Sequence, residues 1–380
     1  MERPLASIVI PVHNAGARLE RCLGSASAQT LERVEFVCVD DGSTDGSPEV
    51  LARYAAADCR FTVVTQPCRG VSAARNAGIG MAQGEWVLFM DADDYAEPSF
   101  AERLASEGGG LGAQIAICSF DEFCEGPERH FPRESCPEGR LYGRAFSLAD
   151  MEGPSTSLVT PNVWRMAFRR DFLDAKGISF PEGLRTSEDL AFIYRALFAA
   201  ERICLVPDVL YHYRRDTAGS LTRKDRGEDG LRALELISAD LDRLLPESPW
   251  LERHFANLAL DVLEYQLGSC AGWGEFRRLW DGLQRTWRPY AAARERMLAP
   301  RYLPFYRATS DPDPGAYLFG LYAAARDARE RLSFDLSLAH EQCGAAEAEL
   351  AEVKASRAWR LAQAAWRVSG KLGRSGGAPA

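Results

Sequence analysis

Short apolar runs alternate with helix-patterned stretches through the first quarter of the chain. Residues 7–12 form the first run and end in polar His13 and Asn14, and residues 18–28 then carry helical spacing. The second run, 34–39, ends in Asp40-Asp41-Gly42-Ser43-Thr44-Asp45-Gly46-Ser47. That stretch is dense in turn formers and helix-capping residues, and Pro48 follows where a first helical position is expected. A third run at 61–65 leads into a small-residue helix over 70–78, and a fourth, 86–90, ends in Asp91-Ala92-Asp93-Asp94. This βαβ spacing predicts a mostly parallel sheet covered on both faces. Ligands of such sheets bind outside the carboxyl ends of the strands, where Asn14, Asp41, Asp91 and Asp93 fall.

The pattern then becomes less regular. Residues 115–119 and 162–168 read as strands, and 121–143, rich in Glu, Arg, Pro and Gly, as a long loop or small hairpin over the site. Thr186 or Ser187 is placed to cap a helix running through Ala199, with Glu188 and Asp189 in its first turn. In 207–215, alternation sets Tyr211 and Tyr213 on one face and His212 and Arg214 on the other. From Gly230 the spacing turns helical, through Leu231, Leu234, Ile237 and Leu241 and again over 250–267. Residues 345–366 predict a further helix, acidic early and basic late, with Trp359 and Trp366 in its basic part. Residues 369–380 are Gly-rich. Four segments result: two halves of an α/β domain (1–125 and 126–225), a helical appendage (226–335) and an amphipathic helix with its tail (336–380).

Composition narrows the chemistry. The 380 residues are 46% hydrophobic with a formal net charge of -9, an acidic balance that argues against nucleic-acid binding. Ten cysteines lie scattered without C-x-x-C pairs, and Cys38 and Cys118 fall inside strands expected to be buried. Free thiols in a reducing cytoplasm are the expectation. Residues 1–4 lead directly into the first strand, so no secretory leader is expected, and no run approaches the ~18 apolar residues of a membrane span. No G-x-G-x-x-G follows the first strand and no G-x-x-x-x-G-K-[ST] occurs, which excludes the Rossmann and P-loop readings. Val12-His13-Asn14-Ala15-Gly16 likewise replaces the Gly-rich loop of a sugar nucleotidyltransferase.

Asp91 and Asp93 are alternate residues at a strand end, so both can face one ligand. Hard oxygen donors of this kind suit Mg²⁺ or Mn²⁺ bound to phosphates, and an acidic protein needs such a cation to admit a phosphorylated substrate. Glu188 and Asp189 admit two readings: complements of the helix dipole, or a proton acceptor for a hydroxyl. Arg214 and Arg215 are open between neutralising phosphate and simple solvation at an edge.

Four motifs in order, over roughly the first third of the chain, resemble family 2 glycosyltransferases of the GT-A fold. They are Pro11-Val12-His13-Asn14, Val39-Asp40-Asp41-Gly42-Ser43-Thr44-Asp45-Gly46, Gly70-Val71-Ser72-Ala73-Ala74-Arg75-Asn76-Ala77-Gly78 and Asp91-Ala92-Asp93-Asp94. The resemblance implies an inverting transferase acting on a nucleotide-sugar donor, usually a UDP-sugar, with Mn²⁺ or Mg²⁺ as cofactor. Pro11, Asn14, Asp41, Arg75 and Asp91 would serve the donor, with Arg75 bracing the donor or the Asp41 loop. Asp93 would hold the metal with Asp91, and His212 would complete its shell, unless His212 is structural. Asp189 would be the base and Glu188 a neighbour orienting the acceptor. The acceptor would be a saccharide or a lipid-linked saccharide of cell-surface glycan synthesis. The basic tail would then bring a cytoplasmic enzyme to the membrane face, or dock on the domain or a partner. The family's processive synthases carry membrane spans and Q-x-x-R-W; here the nearest string, Gln284-Arg285-Thr286-Trp287, lacks that pattern. The alternative is a catalytically silent relative that only binds a nucleotide-sugar or glycan assembly.

Overall fold

A computed structural model describes residues 2–124, 129–133, 138–158, 160–215, 229–246, 248–270, 272–321, 323–327 and 331. The apolar runs become β1 (Ala6–Val12), β2 (Val34–Asp40), β3 (Phe61–Thr65) and β4 (Trp86–Phe89), and the stretches between them α1 (Arg18–Ser27), α2 (Ser47–Ala57) and α3 (Val71–Met81). They pair in the order β3-β2-β1-β4, all parallel. β1 and β4 are buried along nearly their whole length, as strands covered on both faces must be. Two details follow directly from residue type. Pro11 lies on the β4 side of β1, beyond the end of β4, so its missing N–H costs no ladder bond. A Cβ at Gly78 would sit 2.3 Å from Val9 Cγ1, so this glycine lets α3 lie directly on β1.

The sheet continues with β5 (Tyr95–Ala96), α4 (Phe100–Gly110), β6 (Ile115–Cys124), β7 (Arg129–Arg133), β8 (Met166–Arg169), α5 (Arg170–Lys176), α6 (Glu188–Ala199) and β9 (Ile203–Arg214). The full order is β3-β2-β1-β4-β8-β6-β9-β5, with β7 added to β6. This half is mixed, because β8 runs antiparallel to both β4 and β6 while β9 runs parallel to β6. The strand expected over 162–168 is a 3₁₀ turn, Val163–Arg165, that leads into β8. The stretch after residue 121 begins as a hairpin, β6–β7. β9 starts earlier than the aromatic alternation suggests and shifts register twice around Ser119 to stay paired with β6. Tyr211 and Tyr213 both stack on Trp164, at 4.4 and 5.4 Å, so the alternation of their face holds.

Four phenylalanines join the two halves. Phe89 of β4 meets Phe168, Phe180 and Phe192 edge-on, and Phe180 stacks on Phe192 of α6 at 4.0 Å. The cluster ties β4, β8 and α6 to the loop that precedes α6. Helices α7 (Asp229–Leu244), α8 (Leu251–Gly268) and α9 (Trp273–Gly282) follow within the same compact unit, residues 1–307. His254 of α8 accepts the Ser155 amide at 3.0 Å; burial lowers its pKa to about 4, consistent with a neutral ring. Residues 308–380 form a second unit, in which 315–321 are helical. Residues 345–380, with the expected amphipathic helix and its basic cluster, lie outside the described residues. Among the described residues no helix is long and apolar enough to cross a membrane, and the cysteines are free. Cys38 and Cys118 are buried in strands as expected.

Truncating Phe192 to Ala is expected to cost about 3–5 kcal/mol, since it removes one fully buried ring from a four-ring contact. Chemical denaturation monitored by circular dichroism reads the loss as a lower midpoint at unchanged slope.

Candidate active site

The loops after β1, β2 and β4 gather at one edge of the sheet, and each is fixed by its own hydrogen bonds. After β1, Asn14 adopts a left-handed conformation (φ 51°), and its amide oxygen accepts the Thr44 backbone N–H at 2.8 Å. Asn14 therefore ties the first loop to the second. After β2, Gly42 (φ 70°) turns the chain where a Cβ would press on the Cys68 backbone nitrogen at 3.0 Å. The Asp41 carboxylate accepts the backbone N–H groups of Arg69 and Gly70, each at 2.8 Å, and the Gln66 side-chain amide at 2.7 Å. Burial works against its ionisation, but those donors more than offset it and lower its pKa.

After β4, the acidic run divides its labour. Asp94 is buried; it accepts the Tyr211 hydroxyl at 2.9 Å and the Arg214 backbone N–H at 2.8 Å. Burial, then the neighbouring Asp91 and Asp93, raise its pKa well above the usual carboxylate range. The Tyr211 oxygen in turn accepts the Asp91 N–H at 3.0 Å, so one phenol sets the backbone at Asp91. Arg214 donates from Nε to the Asp93 carbonyl at 2.8 Å. It is buried against the acidic loop, so it is not the solvated edge residue considered from sequence. Arg215, half-exposed, pairs with Glu122.

Arg75 joins these loops to the helix carrying the second acidic pair. Its Nη2 reaches Asp91 Oδ1 at 3.0 Å, and its Nη1 reaches Asp189 Oδ1 at 2.6 Å and Glu188 Oε1 at 3.1 Å. The guanidinium, 4% exposed, lies over the Phe180 ring at 5.2 Å. Next to it, Asn76 donates to the Phe180 carbonyl at 2.9 Å and accepts the Phe180 N–H at 2.8 Å, holding that loop from both sides. Arg75 thus braces the α6 carboxylates and Asp91, whereas the Asp41 loop is held by the amides of Arg69 and Gly70. Ser187 occupies the cap position of α6, but in a left-handed conformation (φ 65°) and without a capping hydrogen bond. Asp229 supports the turn instead, accepting the Arg185 and Thr186 amides at 2.9 and 3.1 Å.

Three carboxylates around one guanidinium leave excess negative charge in a poorly solvated place. Burial raises the pKa of Asp189, Arg75 opposes it, and Glu188 and Asp91 add to the rise, which reaches about 8. Asp91 and Asp93 present only oxygen donors, and Arg75 engages Asp91 through Oδ1. That set fits Mn²⁺ or Mg²⁺, which take one or two carboxylates and complete their shell with phosphate oxygens and water. His212 goes elsewhere: its Nδ1 meets Asp121 at 2.6 Å and its Nε2 meets Glu97 at 2.9 Å. Both ring nitrogens are engaged there, so the structure does not group His212 with Asp93. Tyr211, Asp94, Asn76 and Phe180 escaped the sequence reading as site residues. Only Asp94, beside the acidic pair, and Asn76, inside a quoted motif, carried any sequence signal.

A mixed α/β sheet with acidic loops at the carboxyl ends of its parallel strands defines a GT-A-type fold. The comparisons place it more closely. The model of glycosyl transferase family 2 matches residues 7–173. EpsH of Bacillus subtilis (strain 168) is 31% identical over 261 residues, 63% of this chain and 70% of EpsH. The succinoglycan biosynthesis protein ExoO of Rhizobium meliloti (strain 1021) is 30% identical over 238 residues, 58% of this chain and 64% of ExoO. The chain belongs to glycosyl transferase family 2 and is a glycosyltransferase. Among solved structures, residues 1–349 of Staphylococcus aureus TarS superpose with a TM-score of 0.64 at 20% identity, covering 82% of this chain and 88% of that one. A crystal of the same TarS fragment holds UDP-GlcNAc and gives a TM-score of 0.62.

Replacing Arg75 by Met keeps the apolar stem and removes the charge, leaving Asp91, Glu188 and Asp189 to repel one another. A loss of about 3–5 kcal/mol is expected, the scale for breaking a buried pair. Because protonation relieves that repulsion, the deficit should be largest at pH 8.5 and shrink at pH 5.5, as paired denaturation curves of the two proteins would show.

Proposed function

We propose that the chain transfers a sugar, with inversion, from a UDP-sugar to a hydroxyl of a saccharide or lipid-linked saccharide in cell-surface polysaccharide synthesis. One observation carries the reading: a single guanidinium holds Asp91, on the donor side, and Asp189, on the acceptor side, at 3.0 and 2.6 Å. Inversion by direct displacement needs a carboxylate opposite the departing diphosphate, and Arg75 spaces the two sides by the width of its fork. Supporting the donor assignment, the structural neighbour TarS was crystallised with UDP-GlcNAc.

In this reading Asn14 and the amide-pinned Asp41 shape the nucleoside end, with Pro11 at the floor of the loop. Asp93 and Asp91 would hold Mn²⁺ or Mg²⁺, which when bound offsets the charge that develops on the leaving diphosphate. Asp189 takes the proton from the acceptor hydroxyl. Its raised pKa strengthens it as a base while leaving a usable ionised fraction near neutral pH. Glu188 shares Arg75 with Asp189 and orients the acceptor. Arg75 stays in place throughout and keeps Asp189 aimed.

Activity should rise with pH on an acid limb set by Asp189, because only its ionised form accepts the proton. The Asp189→Asn variant should retain donor affinity, lose at least ~100-fold in turnover and flatten that limb. Collapsed donor affinity with intact turnover of the bound complex would instead make Asp189 a binding residue. For the donor side, Asp93→Ala should abolish Mn²⁺-dependent binding of UDP in calorimetry, and equal metal-dependent affinity would remove Asp93 from the site. Recruitment to a membrane by residues 345–374 belongs to the same proposal. Co-sedimentation with anionic liposomes, weakening as salt rises, should be lost on truncation before residue 345.

A further inference from the structure

On the face of β9 opposite Tyr211 lies a second constellation that the transfer chemistry does not use. Asp121 of β6 sits between two imidazoles: its Oδ1 is 2.6 Å from His212 Nδ1 and its Oδ2 is 2.7 Å from His130 Nδ1. The far nitrogen of His212 lies 2.9 Å from Glu97 Oε1. Tyr95 stacks on the His212 ring at 4.3 Å, and the His130 ring meets it edge-on at 5.4 Å. Asp121 and His212 are buried, whereas the His130 side chain is 35% exposed on the hairpin strand β7. One ligand atom from each of Asp121, His130 and His212 falls within 4.8 Å of the others.

Two carboxylates converge on the His212 ring, with the Arg21 guanidinium 3.7 Å over the Tyr95 ring that stacks on it. A neutral imidazole offers one N–H and one lone pair, yet His212 faces a carboxylate at each nitrogen. One of those contacts is repulsive unless the ring carries a second proton, one of the carboxyls is protonated, or Nδ1 binds a metal. The donor set favours the metal. Two imidazoles and one carboxylate suit Zn²⁺ and its neighbours, where Mg²⁺ prefers oxygen alone. Three protein ligands plus an open position is a common zinc arrangement. A carboxylate on the outer nitrogen of a ligating histidine orients the ring and strengthens it as a donor, and Glu97 stands there. Tetrahedral Zn²⁺ separates its ligand atoms by ~3.3 Å. The two hydrogen-bonded pairs, at 2.6 and 2.7 Å, would therefore open by roughly 0.6–0.7 Å as the imidazoles close on the ion.

We propose that Asp121, His130 and His212 form a second metal site, of the Zn²⁺ class, with Glu97 supporting His212 from behind. It is separate from the proposed donor cation on Asp91 and Asp93. Occupation would fasten the β6–β7 hairpin to β9 beside β5, the strand that directly follows the acidic run. The inference does not depend on the identity of the sugar donor.

The test uses full-length protein without a polyhistidine tag, stripped by chelator and titrated with Co²⁺ in the absence of nucleotide. One equivalent of Co²⁺ should develop visible d–d absorption, which Zn²⁺ then displaces. His130→Ala, at an exposed ring, should keep the fold and weaken Co²⁺ binding by at least ~100-fold. Glu97→Gln should weaken it ~10–100-fold, the scale for an outer-shell partner, and Asp93→Ala should leave it unchanged. No absorption up to millimolar Co²⁺, or equal affinity in His130→Ala, would overturn the site and leave a hydrogen-bonded cluster that holds only protons. Loss of the signal in Asp93→Ala would overturn it too, by assigning the ion to the donor loop.

Discussion

The burial of the Arg75 guanidinium among Asp91, Glu188 and Asp189 is the constraint on which the site depends. Each carboxylate comes from a segment with its own reason to be there: a strand end for Asp91, the first turn of α6 for the other two. Nothing in their local structure makes these segments meet. A buried cation must be balanced by protein groups, and three carboxylates converging on its two Nη atoms do so while building up excess negative charge. That excess, together with burial, keeps the Asp189 pKa high in the face of the ion pair.

Around this ionic centre the apolar packing sets distances. Phe180 lies under the guanidinium and against Phe89 and Phe192, so β4, the loop before α6 and α6 share one aromatic cluster. Asn76, adjacent to Arg75 on α3, grips the backbone of that same phenylalanine. The Arg-Asn dipeptide therefore does two jobs from one helix: Arg75 aims the carboxylates, and Asn76 aims the platform beneath them. Tyr211 plays the corresponding part at the acidic loop after β4, where its hydroxyl links the Asp91 amide to the buried Asp94 carboxyl.

Neighbouring residues of β9 serve two different clusters. Tyr211, on one, serves the acidic loop; His212, one residue on, turns to Asp121, His130 and Glu97. Period-two alternation turns His212 away from Tyr211, and its two ring nitrogens are taken by Asp121 and Glu97, whereas the longer Arg214 side chain reaches back to the Asp93 carbonyl.

Period and turn chemistry were legible in the chain itself. Residues 7–12, 34–39, 61–65 and 86–90 read as strands between helices, and their acidic and Asn-containing ends had to gather at one edge of a parallel sheet. Four motifs in order also pointed to the family. Tertiary structure decided what local pattern cannot encode. Whether Glu188 and Asp189 merely complement a helix dipole or face Asp91 depends on where α6 packs. That position is set by long-range contacts among Phe89, Phe168, Phe180 and Phe192. The same holds for Arg75, whose partners lie 16, 113 and 114 residues away along the chain. It holds as well for His212, since only the pairing of β9 with β6 and β5 brings Asp121 and Tyr95 beside it. Periodicity fixes the face on which a side chain lies, but its partners come from neighbouring strands whose register the sequence of that strand alone does not carry.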